Sequence, residues 1–529
     1  MGENFADLWE QITDAFPDAQ AQVHGDRRFT WREFDRRADG VAKTLLELGV
    51  NRQDKVAQYL YNGTEYLESL YGTVKASLVP VNTNYRYEAA ELAYLWDNSD
   101  AVAVVFHGTF VPRIEEVRAS VPGVRLWLWV DDGSGDCPDW AIPYEDAATS
   151  ATERVRPEWG RSGDDLYMLY TGGTTGMPKG VMWPMGMLTQ AFAENTGGPG
   201  AQWSPPTAPG PVACPVCPLM HGTGAFTSFI ALNLGGSIVT LQKRSFDSTE
   251  LLDAIEREKI SMLAIVGDAF GKPILRELDA NPGNWDLSSL FMIISSGVMW
   301  SQETKQGLLK HHPAMMLQDA FSSSEALGMG SSMSMGDNAA STAKFQAGPN
   351  TKVISEDGRE LEPGSGEIGM LAVKGMVPAG YYKDPEKSAA TFREIDGARY
   401  SIPGDFATIE ADGTIHVMGR GSVCINTGGE KVFPEEVEEV IKTHPSVRDV
   451  AVVGVPDEKW GEAITAVVEV APGAELDEEQ IIKHVKANLS AFKAPKKVIG
   501  VPTLGRSPAG KLDYPRLREN AIESVGAST

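Results

Sequence analysis

The chain has 529 residues, of which 42% are hydrophobic and 22% charged, ordinary values for a soluble globular protein that exclude a disordered or fibrous chain and leave room for several compact units. A formal net charge of −25 argues against nucleic-acid partners, whose phosphates it would repel. The four cysteines, Cys137, Cys214, Cys217 and Cys424, are too few for a disulfide framework and fit a reducing cytoplasm.

Met1 to Ala6 carries neither a basic nor an apolar leader, so a cytoplasmic protein is expected. No run of about 18 apolar residues suggests a membrane span. From about residue 50, apolar runs alternate with helix-like segments: strands are predicted at 55–61, 78–81, 101–106 and 126–130, and helices at 65–75 and 88–96. The alternation resumes after 164, with strands expected at 166–170, 236–241, 262–266 and 290–294. This is the rhythm of doubly wound α/β sheets. After about 350 the texture changes to short strands and turns such as Glu356-Asp357-Gly358 and Ala411-Asp412-Gly413, which indicates a β-rich annex. A helix at 435–442, strands near 449–453 and 463–470, and a helix near 478–489 complete a small α+β unit. The expected domains are 1–421 and 422–529, the second expected to be mobile. Residues 483–518 hold nine Lys/Arg against one acid, Asp513, a net +8 that suits a phosphate-rich partner.

The most informative run follows the strand predicted at 166–170: Thr171-Gly172-Gly173-Thr174-Thr175-Gly176-Met177-Pro178-Lys179-Gly180. Glycines let backbone N–H groups turn towards an anion, the threonines add hydroxyl donors, and a lysine supplies charge. The run reads as a phosphate cradle. It is not a Walker A loop, because Lys179 is preceded by proline and followed by glycine.

With this run, the sequence resembles the superfamily of acyl-CoA synthetases, adenylation domains and firefly-type luciferases, over nearly its whole length. Pro218-Leu219-Met220-His221-Gly222 is similar to the family segment whose His lies beside the acyl pocket. Asp319-Ala320-Phe321-Ser322-Ser323-Ser324-Glu325 resembles its aromatic-Gly-x-Thr-Glu motif, with Ser322 in place of glycine and Phe321 without a phenol hydroxyl. Tyr400 to Asp405, Gly419-Arg420, Gly428-Gly429 and Ser507-Pro508-Ala509-Gly510-Lys511 match further motifs in the family's order.

The resemblance implies an enzyme that uses ATP, Mg²⁺ and coenzyme A to turn a small-molecule carboxylic acid into an acyl adenylate and then a thioester. By it, Thr171, Gly172, Gly173, Thr174, Thr175, Gly176 and Lys179 hold the triphosphate, with Thr174 also catalytic. His221 and Glu325 are catalytic, Glu325 as the Mg²⁺ ligand. Gly297, Asp319, Phe321 and Ser324 contact the nucleotide, Asp405 and Arg420 the nucleoside, Gly428 and Gly429 the CoA arm, and Lys511 the carboxylate and α-phosphate. Ser422 takes the hinge position, and Val423 replaces the acid that commonly follows it.

The runs Gly375 to Asp384 and Gly419 to Asn426 look most like actinobacterial fatty-acyl and steroid side-chain CoA ligases, so a bulky hydrophobic acid is expected, with residues 295–299 as pocket candidates. An amide synthetase or carrier-loading enzyme stays open as an alternative acceptor chemistry, and a non-catalytic nucleotide binder as an alternative class. Monomer and homodimer are equally open. Cys214 and Cys217 beside His221 do not make a zinc site, for no second Cys/His pair stands at suitable spacing, and core packing explains them.

Overall fold

The computed structural model describes residues 3–173, 176–298, 300–420, 423–427, 430–457, 460–507 and 511–526. Among them are three sheets of eight, fifteen and five strands.

In the eight-stranded sheet, Lys55–Tyr59, Val79–Asn82, Ala101–His107 and Leu126–Val130 run parallel, and Val79–Asn82 lies parallel to Leu166–Gly173. Both faces are covered, which is why these strands read as nearly continuous apolar runs. Ala103, Val105 and Leu128 enter one core, while Val104, Phe106 and Trp127 enter another. That is the two-residue alternation of a strand with helices on either side.

In the fifteen-stranded sheet an antiparallel edge strand, Arg27–Thr30, is followed by six parallel strands in the order Gln20–His24, Ser237–Thr240, Val212–Pro215, Met262–Ile265, Met292–Ser295 and Met316–Phe321. From Gly330–Ser334 onwards the pairing is antiparallel. The β-rich annex is therefore continuous with the α/β sheet through Gly330–Ser334 and Lys344–Ala347. Helix Gly222–Asn233 packs between the two large sheets, where Tyr167 meets Phe226 and Phe229 edge to face, at 6.0 and 5.3 Å between ring centroids.

Residues 425–525 carry their own two small cores, one on each face of the hairpin Val447–Asp457/Gly461–Val470. Val450, Val452 and Ile464 face helices Pro434–Lys442 and Glu478–Asn488, and Ala451, Val453 and Val467 face helix Tyr514–Gly526. The first strand is longer than the expected 449–453 because its ladder continues from Val447 to Asp457.

Cys214 and Cys217 are fully buried among aliphatic side chains, and burial raises both thiols, Cys217 to about 12 and Cys214 further. No group of three metal-ligating side chains occurs among the described residues. No helix there is long and apolar enough to cross a membrane.

Candidate active site

A cavity of about 1230 Å³ opens at the carboxyl ends of the parallel strands, where α/β sheets leave room for ligands. Two buried or half-buried asparagines hold the chain segments beside it. Asn82 donates to the carbonyls of Tyr170 (2.9 Å) and Met220 (2.7 Å) and accepts the Tyr170 N–H (2.6 Å). It thus joins the strand leading into the glycine-rich turn to the segment that carries His221. Asn62 holds the chain just before, donating to Pro215 (3.2 Å) and Cys217 (3.1 Å) and accepting the Leu219 N–H at 2.7 Å.

The glycine-rich run is the end of an antiparallel hairpin, Leu166–Gly173 with Gly176–Pro184, in which Thr171 faces Lys179 and Gly173 faces Gly176. Thr174 and Thr175 lie outside the described residues. Thr171 lines the cavity. Lys179 does not; its ammonium forms an ion pair with Asp384 and lies 5.9 Å from the centre of the Tyr381 ring. Strand Gly380–Tyr381 runs along the outer edge of the hairpin, with the Ala379 N–H on Met182 O (2.7 Å) and the Tyr382 N–H on Gly180 O (2.8 Å).

That strand also reaches the second motif, where the Tyr381 hydroxyl donates to Glu325 Oε1 at 2.9 Å. Trp183, from the hairpin, donates to the Ser324 carbonyl at 2.8 Å. The serines in this turn hold its backbone: Ser322 Oγ accepts the Gly328 N–H (3.1 Å), and Ser323 Oγ accepts those of Glu325 (3.2 Å) and Ala326 (3.1 Å). Ser324 faces the cavity, whereas Phe321 rests on Phe345 at 5.3 Å and, like Asp319 and Glu325, stands behind the lining. Asp319 is paired with Ser295 in the parallel ladder and lies 3.9 Å from the Lys305 ammonium. Burial raises its carboxyl to about 7 although Lys305 opposes this.

His221 immediately precedes helix Gly222–Asn233. A Cβ at Gly224 would stand 2.5 Å from the Pro218 carbonyl, so only glycine lets the helix start this close to the His221 segment. Burial, with a smaller contribution from Lys511, pushes the imidazole down to about 3, and His221 is neutral at physiological pH. Gly297, at φ +94°, follows strand Met292–Ser295 and lines the opposite wall; Met299 is outside the described residues.

Lys511 enters this same cavity from the C-terminal unit, in a turn closed by Ser507 N–H to Lys511 O (2.8 Å) and Lys511 N–H to Ser507 Oγ (3.1 Å). Asp405 and Arg420 are register partners on neighbouring antiparallel strands, with Asp405 buried behind the lining. Ser422, Gly428 and Gly429 lie outside the described residues.

Hydroxyls, hairpin backbone and an ammonium at one end suit a polyphosphate and a carboxylate. Glu325 is a hard oxygen donor beside them, and a single carboxylate completed by substrate phosphates is the donor set Mg²⁺ accepts. Sequence reasoning missed Asn82, Tyr381 and Asp384. Asn82 ends a parallel strand at the ligand-binding edge, which was the available signal; Tyr381 lies 56 residues from Glu325, and Asp384 lies 205 from Lys179.

Two α/β layers, a β annex and an α+β unit whose lysine reaches into a shared cavity define the adenylate-forming fold. A model of the AMP-binding enzyme family matches residues 9–382, and one of the AMP-binding enzyme C-terminal domain matches 436–511. The chain belongs to the AMP-binding enzyme family. It is 39% identical to a medium/long-chain-fatty-acid–CoA/3-oxocholest-4-en-26-oate–CoA ligase of Mycolicibacterium smegmatis, across 97% of this chain and 96% of the relative. Among solved structures it resembles ATP-bound MatB from Rhodopseudomonas palustris, 29% identical over 98% of this chain and 99% of that one, with a TM-score of 0.83. Apo MatB, at the same identity and coverage, gives 0.73, so this chain's arrangement is nearer the ATP-bound form.

Proposed function

We propose that the protein is an ATP-dependent carboxylic acid:CoA ligase acting on hydrophobic acids, with Mg²⁺, residues 1–421 as its adenylation domain and 422–529 as a lid. The observation that carries this is the entry of Lys511 into one cavity with Thr171, Ser324 and His221, a cavity that continues as an apolar trough. The names of the M. smegmatis relative support the substrate class.

A carboxylate is a poor electrophile because its charge repels nucleophiles and oxide leaves badly. Attack of its oxygen on the α-phosphorus of ATP expels pyrophosphate and makes a mixed anhydride. Attack of the CoA sulfur on the acyl carbon then expels AMP and leaves the thioester. The protein positions the groups and offsets charge. Lys511 stands where the carboxylate and α-phosphate meet, and the hairpin N–H groups with Thr171, Thr174 and Thr175 cradle the phosphates. Lys179 secures the hairpin through Asp384. Glu325, oriented by Tyr381, would hold Mg²⁺, whose charge would offset that of the phosphates.

His221, uncharged, lines the anhydride without repelling Lys511. Gly297, Asp319, Phe321 and Ser324 frame the nucleotide, and Asp405 and Arg420 the ribose, on the family pattern. Rotation about Ser422 would withdraw Lys511 and bring Gly428 and Gly429 to the anhydride for the thiol step.

Incubation with ATP, Mg²⁺, CoA and a panel of fatty, aromatic and steroid acids, read by mass spectrometry, tests the reading. Acyl-CoA with stoichiometric AMP is expected. Acyl adenylate without thioester would favour an amine or carrier acceptor, and absence of AMP from every acid would favour a nucleotide binder.

A further inference from the structure

The cavity extends far beyond the groups that activate the acid. We infer that it is a trough open at its distal end, so that the tail of a long acid emerges from the protein and chain length meets no ceiling. This rests on the acid:CoA ligase reading above.

The floor follows from strand register. Met262 is paired with Met292, Ile294 with Gln318, and Gln318 with Met333, so these side chains form adjoining rows on one face of the sheet. Their strand neighbours Ile293 and Leu317 point to the opposite face and are fully buried, while Met292, Ile294 and Gln318 are only half-buried despite lying on central strands. A mainly apolar floor in mid-sheet that nothing among the described residues covers is a binding surface.

One wall is helix Gly222–Asn233, which presents Thr223, Phe226, Thr227, Ile230 and then Leu234 along a single stripe. Twelve residues make that wall about 18 Å long. The trough therefore starts at His221, Ser296 and Gly297 beside the carboxyl ends of the strands and passes Ser261 and Phe291 beside their amino ends.

Nothing among the described residues closes it there. Leu234 and Phe291 both line the cavity, yet are 41% and 57% exposed. A dead-end pocket would bury its terminal apolar residues, whereas here they form a rim in contact with water. With a floor of four strands, about 14 Å across, the trough takes either a polymethylene chain or a fused-ring skeleton lying flat.

The test is the kcat/KM for acyl-CoA formation from octanoate, palmitate and lignocerate, in the wild type and in Leu234→Trp and Phe291→Trp, whose exposed positions admit an indole without disturbing the core. In the wild type, lignocerate is expected within about tenfold of palmitate; in the variants, the ratio of lignocerate to octanoate is expected to fall at least tenfold, the scale on which a pocket wall discriminates. Turnover of palmitate but not lignocerate by the wild type, or both variants keeping that ratio within about twofold, overturns the open end and leaves the ligase reading intact. No AMP from any of the three acids overturns the ligase reading, and this inference with it.

Discussion

The Tyr381 hydroxyl donates a 2.9 Å hydrogen bond to Glu325, so one short strand, Gly380–Tyr381, holds the carboxylate while its backbone pairs with the glycine-rich hairpin. A bond from a neutral donor to a carboxylate contributes about 1.5–3 kcal/mol when its partner is removed. Tyr381→Phe is expected to raise the Mg²⁺ concentration for half-maximal ATP–pyrophosphate exchange by about tenfold, the equivalent of 1.4 kcal/mol. An unchanged Mg²⁺ dependence in Tyr381→Phe, with a large change in Glu325→Gln, would show that the carboxylate needs no such support.

Lys179 and Asp384 form an ion pair that fastens the return strand of the hairpin to the segment after Tyr382. The Lys179 ammonium holds the Asp384 carboxyl below its ordinary range. If anchoring is the function of Lys179, then Lys179→Ala, Asp384→Asn and the double variant raise the KM for ATP by the same factor. Additive losses would instead assign Lys179 a separate contact with phosphate.

Lys511 is the one ammonium we place at the acid–phosphate junction. Lys511→Ala is expected to slow acyl-adenylate formation by at least about a hundredfold while sparing thioester formation from supplied acyl adenylate, since charge placed at the transition state acts on that step alone. Equal loss in both half-reactions is the outcome that sinks this role.

His221 is neutral because burial takes its imidazole down to about 3. The pH profile of adenylation is therefore expected to keep its shape between pH 6 and 8 in His221→Phe, whatever the drop in height. The unfolded chain binds a proton that the native site refuses between about 6.5 and 3, so stability from this group falls as pH drops through that window. His221→Phe should lose part of the acid sensitivity of thermal unfolding; a steeper fall in acid than the wild type would contradict the assignment.

Asn82 satisfies three buried backbone groups on two segments. Asn82→Ala leaves them without a side-chain partner and is expected to cost about 3 kcal/mol of stability, seen as a lower denaturation midpoint. Because the same bonds position His221 and Thr171, adenylation should fall in the folded fraction as well. A stable variant with wild-type kcat would remove Asn82 from the site's framework.

By itself the sequence determined the class of fold and the order of its parts. Apolar period and turn residues are local signals, and strand Leu126–Val130 and helix Glu478–Asn488 lie within a residue of where those signals put them. The glycine run, the serine-rich turn before Glu325 and the lysine at 511 were legible because each carries its chemistry in a few adjacent residues.

Only tertiary structure decided which groups meet. Tyr381 stands 56 residues from Glu325, and Asp384 lies 205 from Lys179. No local pattern encodes such pairings, because they arise when Gly380–Tyr381 adds to the edge of a sheet formed much earlier in the chain. The trough is a further case. Its floor is a register between strands and its wall a helix stripe, and whether its end is open depends on what packs over Leu234 and Phe291, a property of the folded surface and not of any segment.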